Sequence, residues 1–402
     1  MVLRAQTRFV QTGVRIAVAG LVATAVAIGI GRFAFTPLLP MMQADAGISL
    51  AAGGWLASAN YLGYLLGALL PLAIRMPAAN SIRAALLIIG AATLAMGLVE
   101  SFVAWILLRT LAGIACAWIV IFAFAWSLTR LAPLRRPFLA ALVFAGVGVG
   151  IAVVGVLCIV FMLAGVTSAQ AWMLLGLMTF VCSATTWTTF APSGSSAPGA
   201  ANFLSGTPGW NREWDWLVFC FGASGFGYII PATFLPVMAK QIVNDPLIFG
   251  LSWPIFGAAV LGSTLLASSL SRIVGSLRLW MASQLVMAFG VLVPDFWPGI
   301  GGIVISALCI GGTFMVITLL AMQEARKAAS PNPERLMAAM TSAFAAGQIA
   351  GPICVSFVAS DGGNFSAALF AAGLLLSISA WILYRVDLIN SRLLERRIPD
   401  FR

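Results

Sequence analysis

Residues 29–42 read GIGRFAFTPLLPMM, and residues 225–238 read GFGYIIPATFLPVM. The two stretches align without a gap at an offset of 196 residues, about half of the 402-residue chain. Gly29 and Gly31 fall on Gly225 and Gly227, Leu39-Pro40 on Leu235-Pro236, and Met42 on Met238. Arg32 stands where the second copy has Tyr228. A weaker match pairs Phe144-Ala145 and the small residues Gly146, Gly148 and Gly150 with Phe344-Ala345, Ala346, Gly347 and Gly351. The chain is therefore read as two halves related by an internal repeat.

Both copies lie in long apolar runs. Hydrophobic residues make up 61% of the chain and charged residues 8%, against roughly 25% charged in a soluble domain. Too few charges remain to build a water-facing surface, and lipid removes the need for one. Runs long enough to span a membrane, which takes about 20 residues, lie near 16–41, 50–73, 82–99, 102–129, 138–164, 169–190, 214–238, 247–271, 278–293, 297–323, 335–359 and 365–384. The pattern predicts an all-α membrane protein of twelve transmembrane helices in two pseudo-symmetric six-helix halves. The halves are 1–190 and 213–384, the Pro-, Ser- and Gly-rich stretch 191–212 is a cytoplasmic linker, and 385–402 is a basic cytoplasmic tail with apolar residues at roughly helical spacing. Arg4, Arg8 and Arg15 precede the first run as in a secretory leader, but that run is too long for a leader's apolar segment. It is read as the first span.

Orientation follows from lysine and arginine. With the N-terminus in the cytoplasm, 19 of them fall in inner loops and tails and only Lys240 in an outer loop. Such a bias places both termini inside and implies a multi-pass protein of the inner (plasma) membrane. The basic residues recur in short clusters between apolar runs rather than in one patch, so a net charge of +10 is read as topology and not as a nucleic-acid surface. There is no histidine, and none of the six cysteines sits in a CxxC pair. No metal site and no cofactor are expected.

The six-plus-six pattern, the basic loops after the second and eighth spans and Arg109-x-x-x-Gly113 in the fourth span together resemble the major facilitator superfamily. The stretches at 29–42, 53–70, 225–236 and 345–352 resemble its YbfB/YjiJ-type branch. The resemblance covers essentially the whole chain and implies a transporter working by alternating access, with its site between the halves. It is incomplete: the family's loop motif is reduced to Arg75 and Arg83 in the first half and to Arg272, Gly275 and Arg278 in the second. Import and export stay undecided on these motifs.

Two charges lie inside spans, Arg32 and Arg109. At 1.5 Å per residue both sit roughly 10–14 Å below the outer surface. An intramembrane arginine faces the bundle interior or water, and its planar fork suits a carboxylate or phosphate. The expectation is an anion-binding pair completed by Asn60, Tyr61, Tyr64, Tyr228 and Gln348, with a structural role for Arg109, bonded to carbonyls, kept open beside it. Prolines 37, 40, 231 and 236 are expected to end or kink the first and seventh spans near their outer ends. Asp215, Glu324, Arg75, Arg83 and Arg272 near the inner mouth are candidates for gating or coupling. No aspartate or glutamate lies deep in a span. Coupling is therefore expected from anion exchange, from a proton on the substrate, or from Asp215 or Glu324.

The function expected is secondary transport of a small organic anion by a monomer in the lipid bilayer. A neutral sugar or hydrophobic drug is the alternative substrate, and a receptor or scaffold with a transporter fold the alternative class. An enzyme is disfavoured by the lack of a soluble domain, a carboxylate pair or a phosphate loop.

Overall fold

Lipid offers a backbone no hydrogen-bond partners, so every N–H and C=O must be satisfied within the chain, and helices do this segment by segment. The computed structural model describes residues 2–74, 77–134, 136–190, 212–329, 333–358 and 365–395, and among them there is no strand. The helices are α1 (Val2–Thr24), α2 (Phe35–Asp45), α3 (Leu50–Ala73), α4 (Ala78–Met96), α5 (Phe102–Trp118), α6 (Phe124–Leu131), α7 (Pro137–Leu163) and α8 (Ser168–Thr186). After the linker come α9 (Arg212–Ile242), α10 (Pro246–Gly250), α11 (Ser252–Val274), α12 (Ser276–Phe296), α13 (Ile300–Ala328), α14 (Glu334–Val358) and α15 (Ser366–Glu395). Widened π-helical segments join α1 towards α2 (Ala25–Arg32) and α5 to α6 (Ile119–Ala123), so each of these pairs forms one span.

Among the described residues, eleven spans are long and apolar enough to cross a membrane. The 24-residue α3 carries Ser58, Asn60, Tyr61 and Tyr64, so candidate site residues concentrate on it. α15 continues unbroken past Arg385 to Glu395 and is held near its end by an ion pair from Arg278 to Asp387 at 3.0 Å. The expected basic tail is therefore helix over its first part; its remainder, the linker 191–211 and Arg75 lie outside the described residues.

Side-chain caps mark one end of the bundle. Ser49 caps α3, Thr167 forms a capping box with Gln170 on α8, and Asp245 caps α10. Asp45, at the end of α2, accepts from the backbone N–H and hydroxyl of Ser168 at 2.5 and 2.6 Å. A carboxylate is favourable there because the first turn of α8 presents unpaired N–H groups.

Residues 2–190 pack against residues 212–395 through three seams. α7 lies on α11, where Gly148 meets Leu261 and Gly155 meets Pro254; α3 lies on α14, where Gly54 meets Pro352; and α2 lies on α9. Hydrogen bonds that cross between described residues include Arg32–Tyr228, Thr36–Ala232, Tyr61–Thr233, Ser58–Ile349, Ser356–Ala51 and Lys240–Pro40. These six lie from the level of Arg32 towards the capped end.

Within the first part, α3 and α5 approach closely. A Cβ on Gly63 would come 2.0 Å from the Thr110 carbonyl oxygen. A methyl cannot be accommodated without moving one backbone, and overpacking of this kind costs about 1–3 kcal/mol. A methyl on Gly262 would meet nothing within 4 Å. Gly63→Ala is expected to lower the thermal unfolding midpoint of the detergent-purified protein by several degrees, and Gly262→Ala to leave it unchanged.

Candidate functional site

The site begins with a break in a helix. Pro37 has no N–H to give the carbonyl four residues back. Ahead of it the ladder changes register: Phe33 N–H donates to the Ile28 carbonyl at 3.0 Å, five residues back, and Thr36 N–H to the Phe33 carbonyl at 3.2 Å, three back. The carbonyls of Gly31 and Arg32 then take donors from other helices. Arg109 on α5 donates from Nη1 to Gly31 at 3.4 Å and from Nη2 to Arg32 at 3.0 Å. Asn60 on α3 donates from Nδ2 to Gly31 at 3.1 Å and to the Arg109 carbonyl at 3.0 Å. The Arg109 guanidinium also lies over the Phe35 ring at 4.9 Å. Of the two arginines expected as a pair, Arg109 is the one whose guanidinium is bonded to carbonyls.

The helix is interrupted in the first repeat only; α9 continues through Pro231 and Pro236. The Ala232 carbonyl, four residues before Pro236, accepts from the Thr36 hydroxyl at 2.9 Å. Arg32 and Arg109 are the only charged side chains buried among the described residues.

Arg32 ends the π-helical segment, and its side chain is 6% exposed. Its Nη2 donates to the Tyr228 hydroxyl at 3.3 Å, and its Nε has no partner. Rings surround it, with Tyr64 at 4.6 Å, Tyr61 at 5.0 Å and Phe33 at 5.3 Å from the guanidinium carbon. No carboxylate pairs with it among the described residues. Aromatic faces attract a cation by roughly 0.5–2 kcal/mol each, less than an ion pair in a dry setting would give.

Tyr228 joins the two parts. Its hydroxyl accepts from Arg32 and from Gln348 Nε2 on α14. A phenol has two lone pairs and one proton, so both lone pairs are engaged and the O–H remains as a donor. Its ring stacks between Phe314 at 5.1 Å and Phe344 at 5.6 Å. The stack continues from Phe314 through Phe256 to Trp253, which meets Phe33 at 5.7 Å. Tyr61 shares a hydrogen bond with Thr233 at 3.1 Å.

Arg32, Tyr61, Tyr64, Tyr228 and Gln348 are thus brought together, with Asn60 one layer behind. Sequence reasoning missed Phe314, Phe344 and Phe256, because aromatic residues in a span are most often core. Trp253, at the end of the stack, is fully buried.

The gating candidates lie elsewhere. Arg83 donates to the Trp187 carbonyl at 3.2 and 2.7 Å. Glu324 accepts from Lys327 at 2.8 Å and from the hydroxyl of Ser276, the first residue of α12. Asp215 and Arg272 are exposed.

Three comparisons bear on this geometry. The family described as "Uncharacterised MFS-type transporter YbfB" matches residues 24–384. No curated protein matches the chain. Among solved structures, that of a point mutant of the nucleoside transporter NupG superposes with a TM-score of 0.71 at 16% identity, covering 92% of this chain and 99% of that one. The chain belongs to this family of MFS-type transporters: it is a multi-pass membrane protein and a transporter rather than an enzyme. The structural likeness at this identity speaks for the fold alone.

The two arginines differ in what their removal leaves behind. Arg109→Leu strips donors from buried carbonyls, a loss of about 1–3 kcal/mol for each orphaned group. Arg32→Leu removes an underpaired buried charge. In thermal unfolding without ligand, Arg109→Leu is expected to lower the midpoint clearly, and Arg32→Leu to leave it unchanged or raise it.

Proposed function

We propose that the chain is a secondary active transporter of a small organic anion, with Arg32 as the substrate's anchor. The observation that carries this reading is a buried guanidinium with an unused Nε, one long hydrogen bond and no carboxylate partner among the described residues. Intramembrane charges without a protein partner mark substrate pathways. A bidentate anion would supply the missing acceptors.

The architecture proposed is twelve spans, α3 included, in halves 1–190 and 213–384 joined by the 191–212 linker. The contacts Arg32–Tyr228 and Thr36–Ala232 both link residues 196 apart, the offset of the sequence repeat. Positions equivalent under a two-fold axis touch each other only where the axis passes between them. This supports a pseudo-two-fold axis running beside Arg32, where repeat-built transporters place their substrate. The lysine and arginine bias puts the capped end outside and both termini in the cytoplasm of the inner membrane. The six cross-part hydrogen bonds named above then lie from Arg32 outward, which supports a conformation closed outside, and alternating access would require the three seams to part. The capping role falls to Arg109 and Asn60. Glu324, bonded to Lys327 and Ser276, reads as an inner-end tie, which favours anion exchange or a substrate-borne proton as the driving process.

A neutral sugar is less well supported, because the Asn60 and Gln348 amide nitrogens are already engaged. Breaking a buried charge pair costs about 2–5 kcal/mol. In counterflow assays on proteoliposomes screened with radiolabelled organic anions, Arg32→Ala is expected to weaken apparent affinity roughly thirty-fold or more, and Arg32→Lys to rescue part of it. Equal uptake and affinity in wild type and both variants would remove Arg32 from the substrate path.

A further inference from the structure

Resting on the reading of Arg32 as the anchor, we propose that the substrate class is narrower than organic anions at large: a planar aromatic monocarboxylate. Its carboxylate would bind the free N–H groups of Arg32 and the hydroxyl proton of Tyr228. Its ring would lie against the aromatic surface that Tyr228 shares with Phe314 and Phe344.

The charge count sets the valence. Arg32 and Arg109 are the only buried charges among the described residues, and the Nη1 and Nη2 groups of Arg109 are bonded to carbonyls. Both arginines carry an Nε without a partner, but the Nη groups of Arg109 are taken by carbonyls, so Arg32 is the guanidinium left open to a carboxylate. A second carboxylate on the substrate would find no guanidinium so placed. The ammonium of a zwitterion would be no better placed, because no aspartate or glutamate is buried among these residues.

The donor geometry sets the head group. The Tyr228 hydroxyl accepts from both Arg32 and Gln348. With its lone pairs engaged, its proton is available to an acceptor next to the guanidinium that holds it. A carboxylate, flat and with two oxygens, can take one bond from each donor. Gln348 would then act as a positioning residue, fixing the rotation of the Tyr228 hydroxyl.

The surroundings set the body. Tyr228 is stacked with Phe314 and Phe344 at interplanar angles of 5° and 14°, so the rings form a near-parallel set. Tyr64 and Phe344 are the half-buried members of the cluster, whereas Arg32, Tyr61 and Tyr228 are buried. The accessible edge of the cluster is therefore formed by aromatic residues. A flat ring matches offset-stacked faces better than a puckered one does.

The test is calorimetric titration of the full-length protein in lipid nanodiscs with four probes of similar size. These are benzoate, cyclohexanecarboxylate (same charge, puckered ring), benzamide (same ring, no charge) and terephthalate (two charges). Benzoate is expected to bind tightest, cyclohexanecarboxylate at least three-fold more weakly, and benzamide and terephthalate at least ten-fold more weakly. Arg32→Gln should erase the preference of benzoate over benzamide, and Arg32→Lys should restore part of it. Tyr228→Phe, which keeps the ring, should weaken benzoate about ten-fold, and Phe314→Leu should erase its advantage over cyclohexanecarboxylate. Each variant is first checked for monodisperse elution. If cyclohexanecarboxylate or terephthalate equals benzoate and still requires Arg32, the aromatic monoanion class is overturned while the anion reading stands. If benzamide equals benzoate and neither responds to Arg32→Gln, the anion reading falls as well. Absence of any heat with benzoate at millimolar concentration also overturns the proposal.

Discussion

The break at Pro37 is the constraint from which the rest of the site descends. A proline inside a membrane span removes a backbone donor where no water can replace it. Here the helix answers with a π-helical segment before the break, whose change of register leaves the Gly31 and Arg32 carbonyls to find other donors. Arg109 and Asn60 supply them from two neighbouring helices. The three helices are thereby locked at one level, and close contact between α3 and α5 at Gly63 and Gly113 makes the reach short enough. Arg32 itself is the last residue of the widened segment, so the same irregularity that needs capping also aims the cation whose Nη groups are not taken up by carbonyls.

The two copies of the repeat have diverged in chemistry at the point where they touch. Arg32 and Tyr228 occupy equivalent positions and bond each other. Two arginines there would repel across the axis, and two tyrosines would leave no charge. One of each gives a contact stable without substrate yet still short of acceptors, since Arg32 Nε remains bare. The second copy keeps its helix unbroken and contributes rings rather than charges. A charged lip faces an aromatic wall, and neither half could bind an amphipathic anion alone.

How much of this was legible in the sequence differs by level. The apolar runs, their number to within one span and the 196-residue repeat could be read directly, because lipid imposes length and composition on every span. On α3, Ser58, Asn60 and Tyr61 are polar groups turned towards protein rather than lipid. Arg32, Tyr228 and Gln348 were expected to share a site because the repeat sets Tyr228 at the position of Arg32 and because Gln348 is a polar residue inside a span. Which arginine was free could not be read, because that depends on where the carbonyls of residues 31 and 32 point, and a one-residue change of helical register decides it. The rings of Phe314, Phe344 and Phe256 were hidden for a different reason: phenylalanine at helical spacing has the same pattern whether it fills a core or walls a site.

The single long bond between Arg32 and Tyr228 also bears on how binding would be coupled to motion. At 3.3 Å it is the weakest polar link in a seam that otherwise relies on bonds of 2.8–3.1 Å at Thr36, Tyr61, Ser58, Ser356 and Lys240. Those other links lie towards the capped end and are made to backbone or neutral hydroxyl groups, so a solute at Arg32 does not compete with them. A carboxylate held by the free N–H groups of Arg32 and by the Tyr228 hydroxyl proton would add two charge-assisted bonds across the seam beside the one already there. The solute would then tie the two parts together more firmly than they tie themselves. A ligand shifts a conformational balance only by its difference in affinity for the two states. Bridging contacts made from both parts at once supply such a difference, because they exist only where Arg32 and Tyr228 stand close enough to share one carboxylate. On this argument the bound solute favours whichever state keeps that level closed. Opening at the capped end must therefore hinge about the Arg32–Tyr228 contact, with the solute as its pivot, rather than pull that contact apart.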